Sequence, residues 1–205
     1  MRYPASRKQQ SRERILSAAA DLFRRQGLDA TGVDAVMAAA GLTAGGFYAH
    51  FRSKDALVAA AVAKAGEKAR HRWIVPFDAL RGRAWSRAFV RRYLSEEHRD
   101  DRESGCTLPT LSGDVARSGV VARRHVQAHL AGLFELIAER CRSESAPPRE
   151  QVLGAVALCV GGLLLSRVVV DQELSNEMLR ACRASAERLL EPERSERPRR
   201  KKAKR

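Results

Sequence analysis

Aromatic residues are scarce in this 205-residue chain, at 5% of the total, so a core has to be built from Ala, Val and Leu. An Ala/Leu-rich interior leans towards helices. Acidic residues are outnumbered 24 to 38 by Lys and Arg, which leaves a formal charge of +14. Cysteine is limited to Cys106, Cys141, Cys159 and Cys182, with no CxxC pair and no zinc-finger spacing. That usage excludes a disulfide scaffold and fits a reducing, cytoplasmic setting. Met1-Arg2-Tyr3-Pro4 opens a polar N-terminus without the apolar stretch of a secretion signal. Period-2 runs bounded by hairpin signals are missing, and so are internal repeats. The one long apolar stretch, Val152 to Val170, is interrupted at Ser166-Arg167 after roughly 15 residues, short of the ~20 a bilayer needs. A helix packed closely on another helix is expected there, and no membrane partner.

What is present is a chain with two basic ends. Residues 1–14 carry about +4, from Arg2, Arg7, Lys8, Arg12 and Arg14 against Glu13, and residues 193–205 about +6. Charge concentrated at the ends suits contact with a polyanion, or simply solubility.

Helical periodicity runs through the whole chain and predicts an all-α fold. Ile15, Leu16, Ala19, Leu22 and Phe23 form one face of a helix over 12–26, capped by Ser11 and stopped by Gly27. Thr31, with Asp34 three residues on, opens a second helix as a variant capping box, and Gly41 ends it. Thr43 is the expected cap of a third, running to about His50. Ser53 caps a fourth, from Lys54 to about Trp73, where Pro76 breaks the pattern. Further helices are expected near 83–99, 108–117, 120–142, 150–170 and 175–190.

Three short helices, the second and third joined by a tight glycine turn, are the outline of a helix-turn-helix. The block Gly41-Leu42-Thr43-Ala44-Gly45-Gly46-Phe47-Tyr48-Ala49-His50-Phe51-Arg52-Ser53-Lys54, with Leu16, Ala19, Phe23, Gly27 and Thr31 before it, resembles the TetR family of transcriptional regulators. The resemblance implies an N-terminal DNA-binding domain over 9–69, with the helix-turn-helix at about 32–51. A larger helical sensing and dimerisation domain would follow over 70–192, then a basic tail over 193–205. It further implies a homodimer on palindromic double-stranded DNA, released by a small-molecule effector.

Phe47 and Phe51 share a helical face and should be core, leaving Tyr48 and His50 to point outward to phosphates. Lys54, in the first turn of a helix, opposes the macrodipole until a phosphate arrives. Gly45 and Gly46 cost the helix roughly 1 kcal/mol each, and without side chains they let the backbone approach DNA closely. Ala44 and Gly46 stand where the family often has longer residues, and Gly32 where Thr or Ser is usual. Base readers are therefore few: Thr43, Ala44 and Tyr48. Phosphate contacts, including Thr31 and an arm carrying Arg2, Arg7 and Lys8, should dominate affinity. The Gly41-x4-Gly46 spacing is not a phosphate-binding loop for nucleotides, since Phe47-Tyr48 follow instead of Lys and Ser/Thr.

In the second half, Trp85, Phe89, Tyr93, Cys106, Leu108, Leu111 and Phe134 are candidates for an effector pocket. Gly154, Leu158, Gly161, Gly162, Leu165 and Val168 are candidates for the dimer interface, as part of a four-helix bundle. Cys106 follows Gly105 near a helix start and beside Arg102, which would lower its pKa and suit a thiol sensor. A buried, inert cysteine is the alternative. His125 and His129, four apart, have metal-binding spacing but no acidic or thiol neighbour in sequence. No nucleophile–base pair, paired carboxylates or cofactor loop point to an enzyme, and neither a cofactor nor a resident metal is expected. A non-specific, nucleoid-type DNA binder remains the rival, although it leaves the apolar second half without a purpose.

Overall fold

The computed structural model describes residues 5–101, 105–143 and 145–191, and among these every regular element is helical. Arg2 and the basic tail lie outside the described residues. Nine α-helices follow in order: α1 (Ala5–Gln26), α2 (Val33–Ala39), α3 (Lys54–Trp73), α4 (Gly82–Tyr93), α5 (Glu96–Asp100), α6 (Leu108–Arg117), α7 (Val120–Cys141), α8 (Arg149–Val168) and α9 (Gln172–Leu190). Short 3₁₀ segments lie at Ala44–Ala49 and Val75–Phe77.

The first three helices assemble on the apolar face that the sequence displays. Ile15, Ala19 and Phe23 of α1 meet Val36 and Met37 of α2, Phe47, Phe51, and Leu57 of α3, all buried. Helix α1 begins seven residues before the stretch its apolar stripe marks out, so Arg7 and Lys8 belong to its exposed first turns rather than to a loose arm, and Ser11 is mid-helix. The extension is polar, and periodicity cannot see it. Gly27 (φ 82°) and Gly41 (φ 65°) adopt the left-handed conformation that ends α1 and α2.

Helix α3 starts as predicted, with the Ser53 hydroxyl accepting from the Ala56 N–H at 3.1 Å. It is one continuous 20-residue helix, about 30 Å long at 1.5 Å per residue, and passes without a break through position 70. The expected helix over 83–99 is instead two. Leu94 leaves the helical conformation, Ser95 Oγ accepts from the His98 N–H at 3.2 Å to start α5, and Arg183 Nη2 donates to the freed Leu94 carbonyl at 2.6 Å. Arg167 closes the other end of α5 by donating to the carbonyls of His98 (2.7 Å) and Arg99 (3.0 Å). That places a cation at a helix C-terminus, where the dipole favours it.

Helices α8 and α9 form an antiparallel pair packed at close range. A Cβ on Gly162 would meet Cys182 Sγ at 2.6 Å, and one on Gly154 would lie 3.3 Å from Leu189. These two glycines are therefore spent inside the protomer and do not face a partner. The outer side of α8 is different: Leu153, Leu164, Leu165 and Val168 are exposed at helical spacing, Val168 by 69%, and nothing stands within 4 Å of a Cβ on Gly161. Leu158 is half-buried. By length and composition α8 is the one described helix apolar enough to cross a membrane, and 39% of it is buried in the fold. It is longer than the interrupted apolar run suggests, because Arg149, Glu150 and Gln151 supply its first turn.

Candidate nucleic-acid interface and inner cavity

Between α2 and α3 the chain turns at Gly41 and enters the segment Ala44–Ala49, a 3₁₀ helix rather than the α-helix the pattern suggests. Gly46 N–H donates to Thr43 O (3.0 Å) and His50 N–H to Phe47 O (2.9 Å), both three residues back. Two adjacent glycines remove the propensity an α-helix needs over so short a stretch. The segment is anchored from below by Phe47 and Phe51, stacked 5.8 Å apart. From α1, Arg12 lies over the Phe51 ring at 4.2 Å and donates to the His50 carbonyl at 2.7 Å. Arg14 covers Gly41, donating to its carbonyl at 3.4 Å. These two arginines look in sequence like general basic charge; they set the position of the segment.

The outer face carries Thr43, Ala44, Gly45 and Tyr48, all exposed, Tyr48 by 77%. Thr43 occupies the cap position without a capping bond from its side chain. Nothing in the fold lies within 4 Å of a Cβ on Gly45, and Gly46 meets only ordinary contacts with Met37 and Thr43. His50 is half-buried, its Nδ1 is without a partner, and burial followed by the nearby charges of Lys8 and Arg12 depresses its pKa. Lys54 is half-buried in the first turn of α3.

Thr31 does not join this surface. It is buried, and its hydroxyl donates to the Gly27 carbonyl at 2.7 Å, so the cap of α2 falls to Gly32 and no capping box forms. A hydroxyl committed to closing the α1–α2 turn is not directed at a phosphate.

Helices α3, α4, α7 and α8 line a half-open cavity of about 620 Å³. Phe89, Tyr93, Cys106 and Leu108 line it as expected, but Trp85, Leu111 and Phe134 do not. Trp85 is fully buried behind Phe89, with the rings stacked at 5.0 Å. Leu111 is core, and Phe134 is half-buried on α7 outside the wall. The wall contains residues that the reading of the second half passed over: Trp73 and Gly66 from α3, and Leu133 and Ile137 from α7. His125 and His129 continue the α7 face into the wall. The signal was there in the spacing 125, 129, 133 and 137, which puts these residues on one helical face. Among the described residues no third ligating side chain joins the histidine pair to hold a metal.

Cys106 differs from expectation in its chemistry. It is buried, and burial raises its thiol pKa, because a thiolate would lose its hydration. Beside it His98 is fixed in one neutral tautomer. The Cys106 N–H donates to Nε2 at 3.0 Å, so the proton sits on Nδ1, which donates to the Tyr93 carbonyl at 2.7 Å. Burial drives its pKa down to about 4. Gly105 permits the arrangement, since a Cβ there would lie 3.1 Å from the ring and 2.7 Å from the Asp101 carbonyl.

Besides the packing of α3 on α7, three contacts among the described residues tie the two halves together. Trp73, the last residue of α3, stacks on His98 at 3.9 Å, and its neighbour Arg72 pairs with Asp101 at 2.5 Å. Asp114 of α6 accepts from the Leu28 N–H at 2.8 Å, capping the α1–α2 turn across 86 positions of sequence.

Comparison with known proteins agrees with this arrangement. Residues 15–61 match the sequence model of the bacterial regulatory proteins of the tetR family. No curated protein matches the chain significantly. Among solved structures, a TetR transcriptional regulator from Chloroflexus aurantiacus is 26% identical over 89% of this chain and 95% of its own, with a TM-score of 0.71. Escherichia coli NemR in its reduced form shares the fold at 21% identity and the same TM-score, over 86% of this chain and 94% of its own. A TetR-family regulator from Streptomyces coelicolor does so at 20% identity and a TM-score of 0.68, over 89% of this chain and 97% of its own. Residues 15–61 thus match the N-terminal domain of the tetR-family regulatory proteins, and the chain as a whole has the fold of solved TetR-family transcriptional regulators.

Proposed function

We propose that the protein is a homodimeric repressor that binds a palindromic operator and leaves it when a small molecule fills the inner cavity. The observation that carries this reading is α3 itself. One rigid helix presents Lys54 beside the outer face of the helix-turn-helix and ends with Gly66, Ala69 and Trp73 in the cavity wall. A ligand that displaces the C-terminal part of α3 would move its N-terminal part as well, because the helix is continuous between them.

In this reading Thr43, Ala44, Gly45, Gly46 and Tyr48 approach the major groove. His50 and Lys54, with Arg7 and Lys8 from the start of α1, take phosphates. The exposed stripe of Gly161, Leu165 and Val168 meets its symmetry mate to form a four-helix bundle with α9, holding two recognition segments about 34–36 Å apart. An electrophile acting on Cys106 is the second reading. The position of Cys106 on the cavity wall favours it, while burial, which keeps the thiol protonated, works against it.

Footprinting on DNA flanking the protein's own gene tests the main reading. A short protected palindrome that is lost on adding a cavity ligand is the expected result. Uniform coating, with affinity indifferent to sequence, would mean a non-specific binder instead.

A further inference from the structure

The cavity wall is apolar apart from a few groups, and the most deeply buried of these are donors without a strong acceptor. The indole Nε1–H of Trp73 makes no hydrogen bond among the described residues, and the Tyr93 hydroxyl meets only the Cys106 thiol; both side chains are 95% buried. An indole N–H can only donate. The Tyr93 hydroxyl lies next to the Cys106 thiol, a poor partner in either role. His129 adds a neutral imidazole, since burial lowers its pKa, in a place open only because Gly66 has no Cβ to overlap the ring.

Charge is confined to the mouth, where exposed Glu67 and Arg70 nearly cancel. Among the described residues no carboxylate other than that of Glu67 lines the cavity. Half-buried Arg167 is not in the wall and donates to the carbonyls at the end of α5. A charged ligand would therefore lose its hydration without gaining a counter-charge.

We propose that the cavity takes an uncharged, mostly apolar ring compound that brings a hydrogen-bond acceptor, such as a ketone oxygen, to the Tyr93 hydroxyl and the Trp73 N–H. This assignment rests on the effector reading above and adds the class of the effector to it. The volume, about 620 Å³, suits two or three fused rings, within the range of small-molecule sites. One neutral hydrogen bond completed at such buried donors is worth about a factor of ten in affinity.

Equilibrium dialysis of the protein against four tricyclic compounds of similar size tests it: 9-fluorenone, fluorene, fluorene-9-carboxylate and N-methylacridinium. Fluorenone should bind about ten-fold tighter than fluorene, and tighter than either ion. Tyr93→Phe, checked for native helix content, should erase most of the ketone preference while fluorene binding stays the same. Trp73→Phe should reduce the fluorenone-to-fluorene ratio even where the lost area weakens both. Equal binding of ketone and hydrocarbon, a charged compound binding best, no binding by any of the four, or a ketone preference that survives both substitutions each overturn the assignment. Gel shifts with the same compounds separate the two readings. Selective fluorenone binding that leaves the operator complex intact defeats effector release and spares the cavity assignment. Operator release without any preference for the ketone does the reverse.

Discussion

Acid should weaken this fold through His98 in particular. In the native protein both ring nitrogens are committed, Nδ1–H to the Tyr93 carbonyl and Nε2 to the Cys106 N–H. A second proton has nowhere to go without breaking the latter bond and charging a buried ring. The native pKa is about 4, against about 6.5 for a histidine in the unfolded chain. Because the native value is the lower one, the unfolded state binds the proton first as pH falls. The contribution is complete above pH 6.5 and is lost progressively between 6.5 and about 4. Linkage puts the total loss at about 3 kcal/mol, with about 2 kcal/mol of it gone by pH 5. Urea unfolding at pH 7.5 and pH 5.0, at one protein concentration, measures it when set against His98→Asn. The variant leaves the Cys106 N–H unpaired and should be weaker at pH 7.5 by about 1–3 kcal/mol. It should also lack the additional acid loss of about 2 kcal/mol that the wild type shows. If both proteins lose the same stability between the two pH values, the assignment of the neutral tautomer and of its cost is wrong.

Other outcomes follow from single contacts. Gly45→Ala adds a methyl where the fold has open space, so stability should hold or rise by up to about 1 kcal/mol while operator affinity in a gel shift drops at least ten-fold; unchanged DNA binding would show that the backbone makes no close approach there. Asp114→Ala strips the Leu28 N–H of its partner and should cost about 1–2 kcal/mol in chemical denaturation, with Asn at 114 restoring most of it; an Ala variant as stable as the wild type contradicts the capping role. Leu165→Asp with Val168→Asp places charge on the exposed stripe of α8, and light scattering should then report the 22.7 kDa chain in place of its double. Gly66→Ala should push the His129 ring into the cavity and lower fluorenone affinity with little effect on folding; undiminished binding refutes that geometry.

The helix-turn-helix was legible because its restraints are local. Gly27 and Gly41 fix the two left-handed stops, Ser53 caps α3, and Phe47 and Phe51 declare the buried face, all within a few residues of the feature they control. The errors share a cause as well. Thr31 has the composition of a cap, yet the Gly27 carbonyl four residues back competes for its hydroxyl and wins. Arg12 and Arg14 read as charge for DNA because nothing in sequence tells that His50 and Gly41 lie across from them. Gly154 and Gly162 have the small size that permits close approach, but size alone does not say to which neighbour, and α9 of the same chain takes both. Phe89 and Trp85 are four apart and nearly equivalent by pattern; only the tertiary packing of α4 decides that one lines the cavity and the other is core. Cys106 shows the largest shift in chemistry, since an apparent activating context in sequence is overridden by burial.

The bond from Asp114 to the Leu28 N–H bears on modularity. Recognition heads and sensing bodies of regulators invite exchange, and the end of α3 is the obvious seam. Here that seam would carry away Trp73 and Arg72, which belong to the body's own wall and ion pair, and would leave the α1–α2 turn without the carboxylate that closes it. A chimera that keeps this head needs an acidic residue or an amide at the matching point of the foreign α6, and an α3 taken whole from one parent. Grafts that ignore both would yield heads that fold loosely and respond to nothing, whatever the quality of the donor sensor.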